Sequence, residues 1–288
     1  MPYALSTLLQ QGADGTPREP RPSNRALFRG AAAEALAMVL FVFFGCGAAS
    51  SNARKFDGGE WDPASVTIIA LQFGLSITVL VYVTAHTSGG HINGAVTLGL
   101  MAVGKCHPLR AAVYLVAQLV GSIVGAAILD GATYGEAHDF TLDRTGGLGS
   151  NGRQNPAVSL GRAFAFEFMG TFLLMYTVLE TAVNVHSVTT EGESSILGNK
   201  LNLAPLPIGF AVFLAHVVCI PVTGCSINPT RSFGPAVVSD TWDDHWLWWV
   251  GPCSGSIGAS IVWAAMKQLD DPNDKGRLVA ISKGGEMG

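Results

Sequence analysis

Two short stretches place polar chemistry inside an otherwise apolar chain. Ser88-Gly89-Gly90-His91-Ile92-Asn93-Gly94-Ala95 returns as Thr223-Gly224-Cys225-Ser226-Ile227-Asn228-Pro229-Thr230-Arg231. Both read small residue, Gly, two residues, Ile, Asn, and an apolar run follows each. Asn is a favoured helix N-cap and Pro a favoured first helical residue. Each copy is therefore expected to be an extended segment ending in a capped helix. The capping Asn uses its carbonyl oxygen and keeps its NH₂ as a donor. Two such donors, Asn93 and Asn228, at the positive ends of two helices suit a neutral hydrogen-bonding solute and repel cations, a hydrated proton included. Gly89, Gly90, His91 and Ile92, with Gly224, Cys225, Ser226 and Ile227, cannot pair their carbonyls in a helix. Non-helical backbone at membrane depth has to line a water-filled cavity. The alternative is that both Asn residues are structural caps only. Their matching places in two halves weigh against it.

Other polar residues stand out against the same background. Arg231 lies about one turn into the second helix, and a lone Arg at membrane depth marks function. Its charge sets a barrier to cations. His216 interrupts the apolar run Phe210-Ala211-Val212-Phe213-Leu214-Ala215, and by itself it reads as a packing histidine. Glu34 and Glu167 are intramembrane carboxylates, costly unless partnered. Either they relay protons or they accept backbone N–H groups and brace the two loops. The brace is favoured, because each half has one copy in an equivalent place.

The elements that must hold these residues follow from composition. The 288 residues are 49% hydrophobic and 13% charged, with mean hydropathy +0.36, the profile of an all-α polytopic membrane protein. The net charge of −4 gives no sign of nucleic-acid binding. The five cysteines lack zinc spacing, and their scatter argues against a disulfide framework. No metal cluster, cofactor motif or nucleophile–base pair is apparent, so an enzyme is not indicated. Six apolar segments near the ~20 residues needed to span fall at about 28–50, 66–86, 110–130, 159–183, 203–222 and 244–267. Between them, Ala95 to Val103 and Ser232 to Val238 are too short to span and read as half-helices. Residues 1–26 and 268–288 read as polar tails flanking a domain at 27–267.

The domain repeats, at about 27–130 and 159–267. Glu34 in Ala33-Glu34-Ala35 matches Glu167 in Phe166-Glu167-Phe168, and Gly121-Ser122-Ile123-Val124-Gly125 matches Gly255-Ser256-Ile257-Gly258. Three spans per half is odd, so the halves are inverted and their half-helices meet N-terminus to N-terminus near the bilayer midplane. Arg18, Arg21, Arg25, Arg29, Lys105, Arg110, Lys200 and Lys267 mark one side as cytosolic, with both termini. Arg54, Lys55, Arg144, Arg153 and Arg162 mark the other. A secondary transporter with broken helices is the alternative of another class. The spans hold no acidic residues for ion coupling beyond Glu34 and Glu167.

The paired loops, six spans and inverted 3+3 repeat resemble the aquaporins, or major intrinsic proteins. The likeness runs over about residues 27–267 and is nearest the plasma-membrane intrinsic proteins of plants and algae. Ser88 to Thr97, Leu203 to Phe213 (LAPLPIGFAVF), Ile227 to Phe233 and His245 to Pro252 carry it. Asn155-Pro156-Ala157 lacks the Ser-Gly-Gly approach and is a decoy. The resemblance implies a passive, water-selective, single-file channel in a plasma membrane, assembled as a homotetramer in the bilayer. It implies a filter at Phe73, His216, Cys225 and Arg231, which turns His216 from packing to function. Ser232 and Ala236 stand where glycerol-conducting members carry Asp and Arg.

Two departures sit at the centre. Gly94 replaces the family's Pro and Thr230 its usual Ala. Pro229 keeps the family residue. Losing the Pro–Pro contact is expected to loosen the centre while water conduction is retained. Should Gly94 and Thr230 widen it, the channel becomes a broader facilitator for hydrogen peroxide, carbon dioxide, glycerol or urea. The resemblance also implies a gate in the cytosolic loop 184–202, with Leu203 over the mouth against His91, Val96 and Leu100. The family's pH-sensing histidine falls near Asn199, with His186 as a substitute, and Glu191 and Glu193 as groups for a divalent cation or for solubility. Lys105-Cys106-His107 stands where the group carries a phosphorylatable Ser.

Overall fold

A chain crossing a bilayer has to pair its backbone polar groups within itself, and helices do this segment by segment. The computed structural model describes residues 12, 15, 18–133, 143–183 and 203–269. Its helices are α1 (Asn24–Asn52), α2 (Pro63–Ser88), α3 (Gly94–Ala102), α4 (Pro108–Thr133), α5 (Leu160–Val178), α6 (Pro205–Thr223), α7 (Pro229–Ser239) and α8 (Leu247–Leu269). A π-helical turn, Leu179–Val183, extends α5. Side-chain caps open several: the Ser23 hydroxyl accepts from Ala26 N–H, the Asp62 carboxylate from Ala64 N–H and the Ser159 hydroxyl from Arg162 N–H. Gly89 (φ +93°) and Gly224 (φ +73°) end α2 and α6 in the left-handed conformation that glycine adopts without penalty.

Helices α1, α2, α4, α6 and α5 with its extension are long and apolar enough to cross a membrane. Helix α8 has the length, 23 residues, but carries Ser254, Ser256, Ser260 and Lys267. Helices α3 and α7, of 9 and 11 residues, reach only about half of a ~30 Å hydrocarbon core at ~1.5 Å per residue. Side chains such as Phe44, Val79, Val116, Phe210, Val218 and Ile261 face outward and are exposed.

The packing pairs are α1 with α4 and α5 with α8; α1 with α2 and α5 with α6; α4 with α7 and α8 with α3. Exchanging α1 for α5, α2 for α6, α3 for α7 and α4 for α8 returns the same list. This is the inverted 3+3 repeat, and each half-helix packs on the last span of the other half. The halves join along α2 and α6, where Gly74 meets Gly209. A Cβ on Gly74 would stand 2.7 Å from the Gly209 carbonyl oxygen, so the backbones touch.

Loop 184–202, with His186, Glu191, Glu193 and Asn199, lies outside the described residues, as do residues 1–11 and 270–288. The segments before the two Asn residues correct one expectation. They are not extended throughout: Gly89, Gly90 and Ile92, and likewise Gly224, Cys225 and Ile227, have positive φ. The sequence hides this turn, because Ile is unfavourable in the left-handed region and is held there only by its surroundings.

Gly209→Leu is expected to lower stability by about 1–3 kcal/mol or more through this contact. Gly131→Ala, with open space around it, is expected to leave the thermal midpoint in detergent unchanged. Equal midpoints for the two variants would refute the contact.

Candidate functional site

The centre is built from two caps that grip each other. Asn93 Oδ1 accepts from Ala95 N–H (2.8 Å) and Val96 N–H (3.3 Å), which fixes the start of α3. Asn228 Oδ1 accepts from Arg231 N–H (3.2 Å) at the start of α7. Each NH₂ then crosses to the other half. Asn93 Nδ2 donates to the Ile227 carbonyl (2.9 Å) and Asn228 Nδ2 to the Ile92 carbonyl (2.8 Å). The left-handed turns at Ile92 (φ +49°) and Ile227 (φ +43°) present these two carbonyls. An amide NH₂ has two hydrogens, so each Asn keeps one for a solute. The free NH₂ groups expected from sequence are therefore half engaged.

Glu34 and Glu167 are fully buried and each gathers the N–H groups of its loop. Glu34 Oε1 accepts from the Ser88 hydroxyl (2.6 Å) and His91 N–H (2.9 Å). Its Oε2 accepts from Ile92 N–H (2.7 Å) and Gln118 Nε2 (2.8 Å). Glu167 Oε1 accepts from the Thr223 hydroxyl (2.6 Å) and Ser226 N–H (2.8 Å), and its Oε2 from Ile227 N–H (2.7 Å). Neither carboxylate borders the two cavities described next.

Two cavities trace the path. The inner one, about 730 Å³, is bordered by His91, Asn93, Val96, Leu100, Asn228 and His216 among others. The outer one, about 280 Å³, is bordered by Trp61, Phe73, Arg144 and Gly224. Arg231 borders both. Between them the Phe73 and His216 rings stack at 4.3 Å, and the Arg231 guanidinium carbon lies 4.9 Å from the Phe73 ring centre. His216 Nδ1 lies 2.9 Å from the Val212 carbonyl and so carries the hydrogen. Its Nε2 and the Arg231 Nε are buried without a protein partner. A buried imidazole acceptor and a buried guanidinium donor thus stand unpartnered where the two cavities approach each other.

Arg231 is held by a residue that sequence reasoning missed. Asn151 Oδ1 accepts from Arg231 Nη1 (2.7 Å) and the Ser232 hydroxyl (2.7 Å), while its Nδ2 donates to the Thr223 carbonyl (3.2 Å). Asn151 sits in a polar loop without a motif, so nothing local flags it. Asp143 shapes that loop, accepting from the Thr145 hydroxyl (2.6 Å), Thr145 N–H (3.0 Å) and Leu148 N–H (2.8 Å). Burial pushes this carboxyl up, but those hydrogen bonds outweigh it and hold it below the ordinary carboxylate value.

Other predicted residues fall less simply. Gly89, Gly90, His91, Ser226 and Ile227 border the inner cavity. Ile92 and Cys225 are fully buried and border neither cavity. Cys225 stands in the chain between Gly224, which borders the outer cavity, and Ser226, which borders the inner one. Leu203 is 58% exposed and precedes Ala204 and Pro205, which border the inner cavity together with Val96, Leu100 and Lys105. Asn155 makes a local turn, its Oδ1 accepting from Ala157 N–H (2.8 Å).

The chain is similar to known proteins over most of its length. The family model described as Major intrinsic protein matches residues 22–263. A protein named "Aquaporin PIP-type" of Atriplex canescens is 42% identical over 245 residues, covering 82% of this chain and 79% of the relative. "Aquaporin-1" of Bos taurus is 38% identical over 245 residues, covering 83% and 82%. The X-ray structure of the aquaglyceroporin from Plasmodium falciparum superposes with TM-score 0.68 at 25% identity, covering 85% of this chain and all of that one.

Glu34→Ala strands four donors in a dry interior, at a cost of about 3–5 kcal/mol. A lower thermal midpoint and a large loss of osmotic water flow in proteoliposomes are expected, and an unchanged midpoint would refute the brace. Because the folded-state value of Asp143 is depressed, its stabilisation is fully present above about pH 4 and is lost as pH falls through that value. The gap in thermal midpoint between the wild type and Asp143→Asn is thus expected to shrink on acidification. A pH-independent gap would overturn this.

Proposed function

The chain belongs to the major intrinsic protein family, and we infer from that premise that it is a passive water channel. It is an integral, multi-pass membrane protein with water as the permeant. The observation that carries selectivity is the passage of Phe73, His216 and Arg231 between two cavities. Two aromatic rings restrict its width, and a donor facing an acceptor replaces the hydrogen bonds that a water molecule gives up on entering. The Arg231 charge and the two helix N-termini at Asn93 and Asn228 oppose cations.

We extend the reading to a homotetramer with one pore per subunit, and to a plasma membrane with both termini cytosolic. The relatives' PIP-type names support the membrane, and the Lys/Arg asymmetry supports the orientation. A gate belongs at the inner mouth, where Leu203 joins segment 184–202 to α6. The broader-facilitator reading is disfavoured by the tight centre. A Cβ on Gly94 would stand 3.0 Å from Thr230 Cγ2, so the room that Gly94 opens is already filled.

The test is stopped-flow shrinkage of proteoliposomes under an impermeant osmolyte. Shrinkage well above that of empty liposomes, with glycerol uptake at the empty-liposome level, is expected. His216→Ala, which removes one ring of the passage, is expected to keep water flow and admit glycerol. Shrinkage at the rate of empty liposomes would sink the water-channel reading. Rapid glycerol uptake by the unaltered protein would favour the broader facilitator.

A further inference from the structure

The two halves cap their half-helices differently, and the difference lies at Thr230, one of the two central positions where the resemblance implies another residue. In the first half, Asn93 Oδ1 accepts from two backbone N–H groups, those of Ala95 and Val96. In the second, Asn228 Oδ1 takes one backbone N–H, from Arg231, and lies 2.8 Å from the Thr230 hydroxyl. Both oxygens of that contact are buried. The amide oxygen cannot donate, so the hydroxyl does. A side-chain O–H stands where the other half uses a backbone N–H.

The same hydroxyl reaches across the repeat. Thr230 Oγ1 accepts from Gly94 N–H (3.2 Å). Gly94 opens α3, where the N–H has no partner within the helix. A proline there has no N–H to satisfy, whereas a glycine buried at this point needs an acceptor. Gln118 Oε1, at 3.3 Å, is a second, longer acceptor for the Thr230 proton, and Gln118 Nε2 donates to Glu34. Thr230 therefore links the cap of α7 to the first residue of α3 and to the brace of the first half. Packing matches the polar arrangement. A Cβ on Gly94 would stand 3.0 Å from Thr230 Cγ2, 3.1 Å from Leu115 Cδ1 and 3.2 Å from Pro229 Cγ.

We propose that Gly94 and Thr230 form one coupled device, in which Thr230 is a positioning residue that orients Asn228 across the pore centre. The threonine methyl fills the room left by the missing proline ring, and its hydroxyl satisfies the N–H that proline lacks. Each substitution is the condition for the other, so the centre is tied rather than loosened. The proposal rests on the water-channel reading only for its readout.

The test reconstitutes the full-length protein and four variants in proteoliposomes. Water permeability per channel is read by stopped flow, and proton leak by an entrapped pH dye. Thr230→Val keeps the shape and removes the hydroxyl, and its unit water permeability is expected to fall about three- to tenfold with a raised proton leak. Thr230→Ser restores the hydroxyl and is expected to return both readouts to within about twofold of wild type. Gly94→Pro alone is expected to lose permeability, because its ring meets the threonine methyl. Gly94→Pro with Thr230→Ala is expected to recover it. A Thr230→Val channel equal to wild type in both readouts would overturn the proposal. So would a double variant no better than Gly94→Pro alone. Should Thr230→Val fail to fold, the comparison of Gly94→Pro with the double variant decides. If the unaltered protein conducts no water, the water-channel reading fails, and the coupling is then judged by thermal midpoints in the same cycle. Recovery of the midpoint in the double variant upholds it, and a midpoint no higher than that of Gly94→Pro alone overturns it.

Discussion

The constraint on which the rest depends is the cost of an unpaired backbone amide inside hydrocarbon. Water passing in single file needs polar groups on the wall, and helices hide theirs. The chain solves this by breaking two helices at the midplane and placing one carboxylate behind each break. Glu34 and Glu167 hold the N–H groups of the loops on the dry side. Once the amides are anchored, the backbone can be held in left-handed turns at Ile92 and Ile227 that cost about 1–3 kcal/mol each. Those turns present the carbonyls that the opposite Asn residues bind. Brace, turn, carbonyl and cap are consecutive consequences of one requirement.

The inverted repeat supplies the frame, and function enters where the repeat is broken. His216 and Arg231 both belong to the second half, so the passage lies towards one end of the pore. Asn151, in the link between the halves, is what holds the guanidinium in place. Gln118 donates to Glu34, and among the described residues the second carboxylate is met by a hydroxyl and two backbone N–H groups, with no side-chain amide. A strictly symmetric pore would carry any off-centre constriction twice. Here the narrow passage and the Asn pair are separate stations.

Much of the frame was legible in the sequence because the bilayer enforces it. The apolar runs mark the spans, and Ile-Asn after a small-residue approach marks each half-helix. The matched Glu and Gly positions reveal the repeat. What was hidden has a physical reason in each case. Left-handed Ile residues go against their own propensity, so the approach segments read as extended. Asn151 is placed by the Asp143 loop and by nothing in its own neighbourhood. Thr230 and Gly94 were readable as departures, while their mutual fit appears only once the two half-helices face each other.

The exchange of half-helices between repeats bears on how the chain is made. Helix α3 packs on α8, where the Ser256 hydroxyl donates to the Ala95 carbonyl (2.6 Å) and the Ser260 hydroxyl to the Gly99 carbonyl (3.3 Å). Ribosomes release α3 long before α8. Through most of synthesis, then, the first half-helix has been translated while the surface that receives it has not. The spans can enter the bilayer one after another, but the conduit between them is completed only when the final helix arrives. The first half-helix is thus seated by the last element to be made, so the pore and the fold are finished by one event.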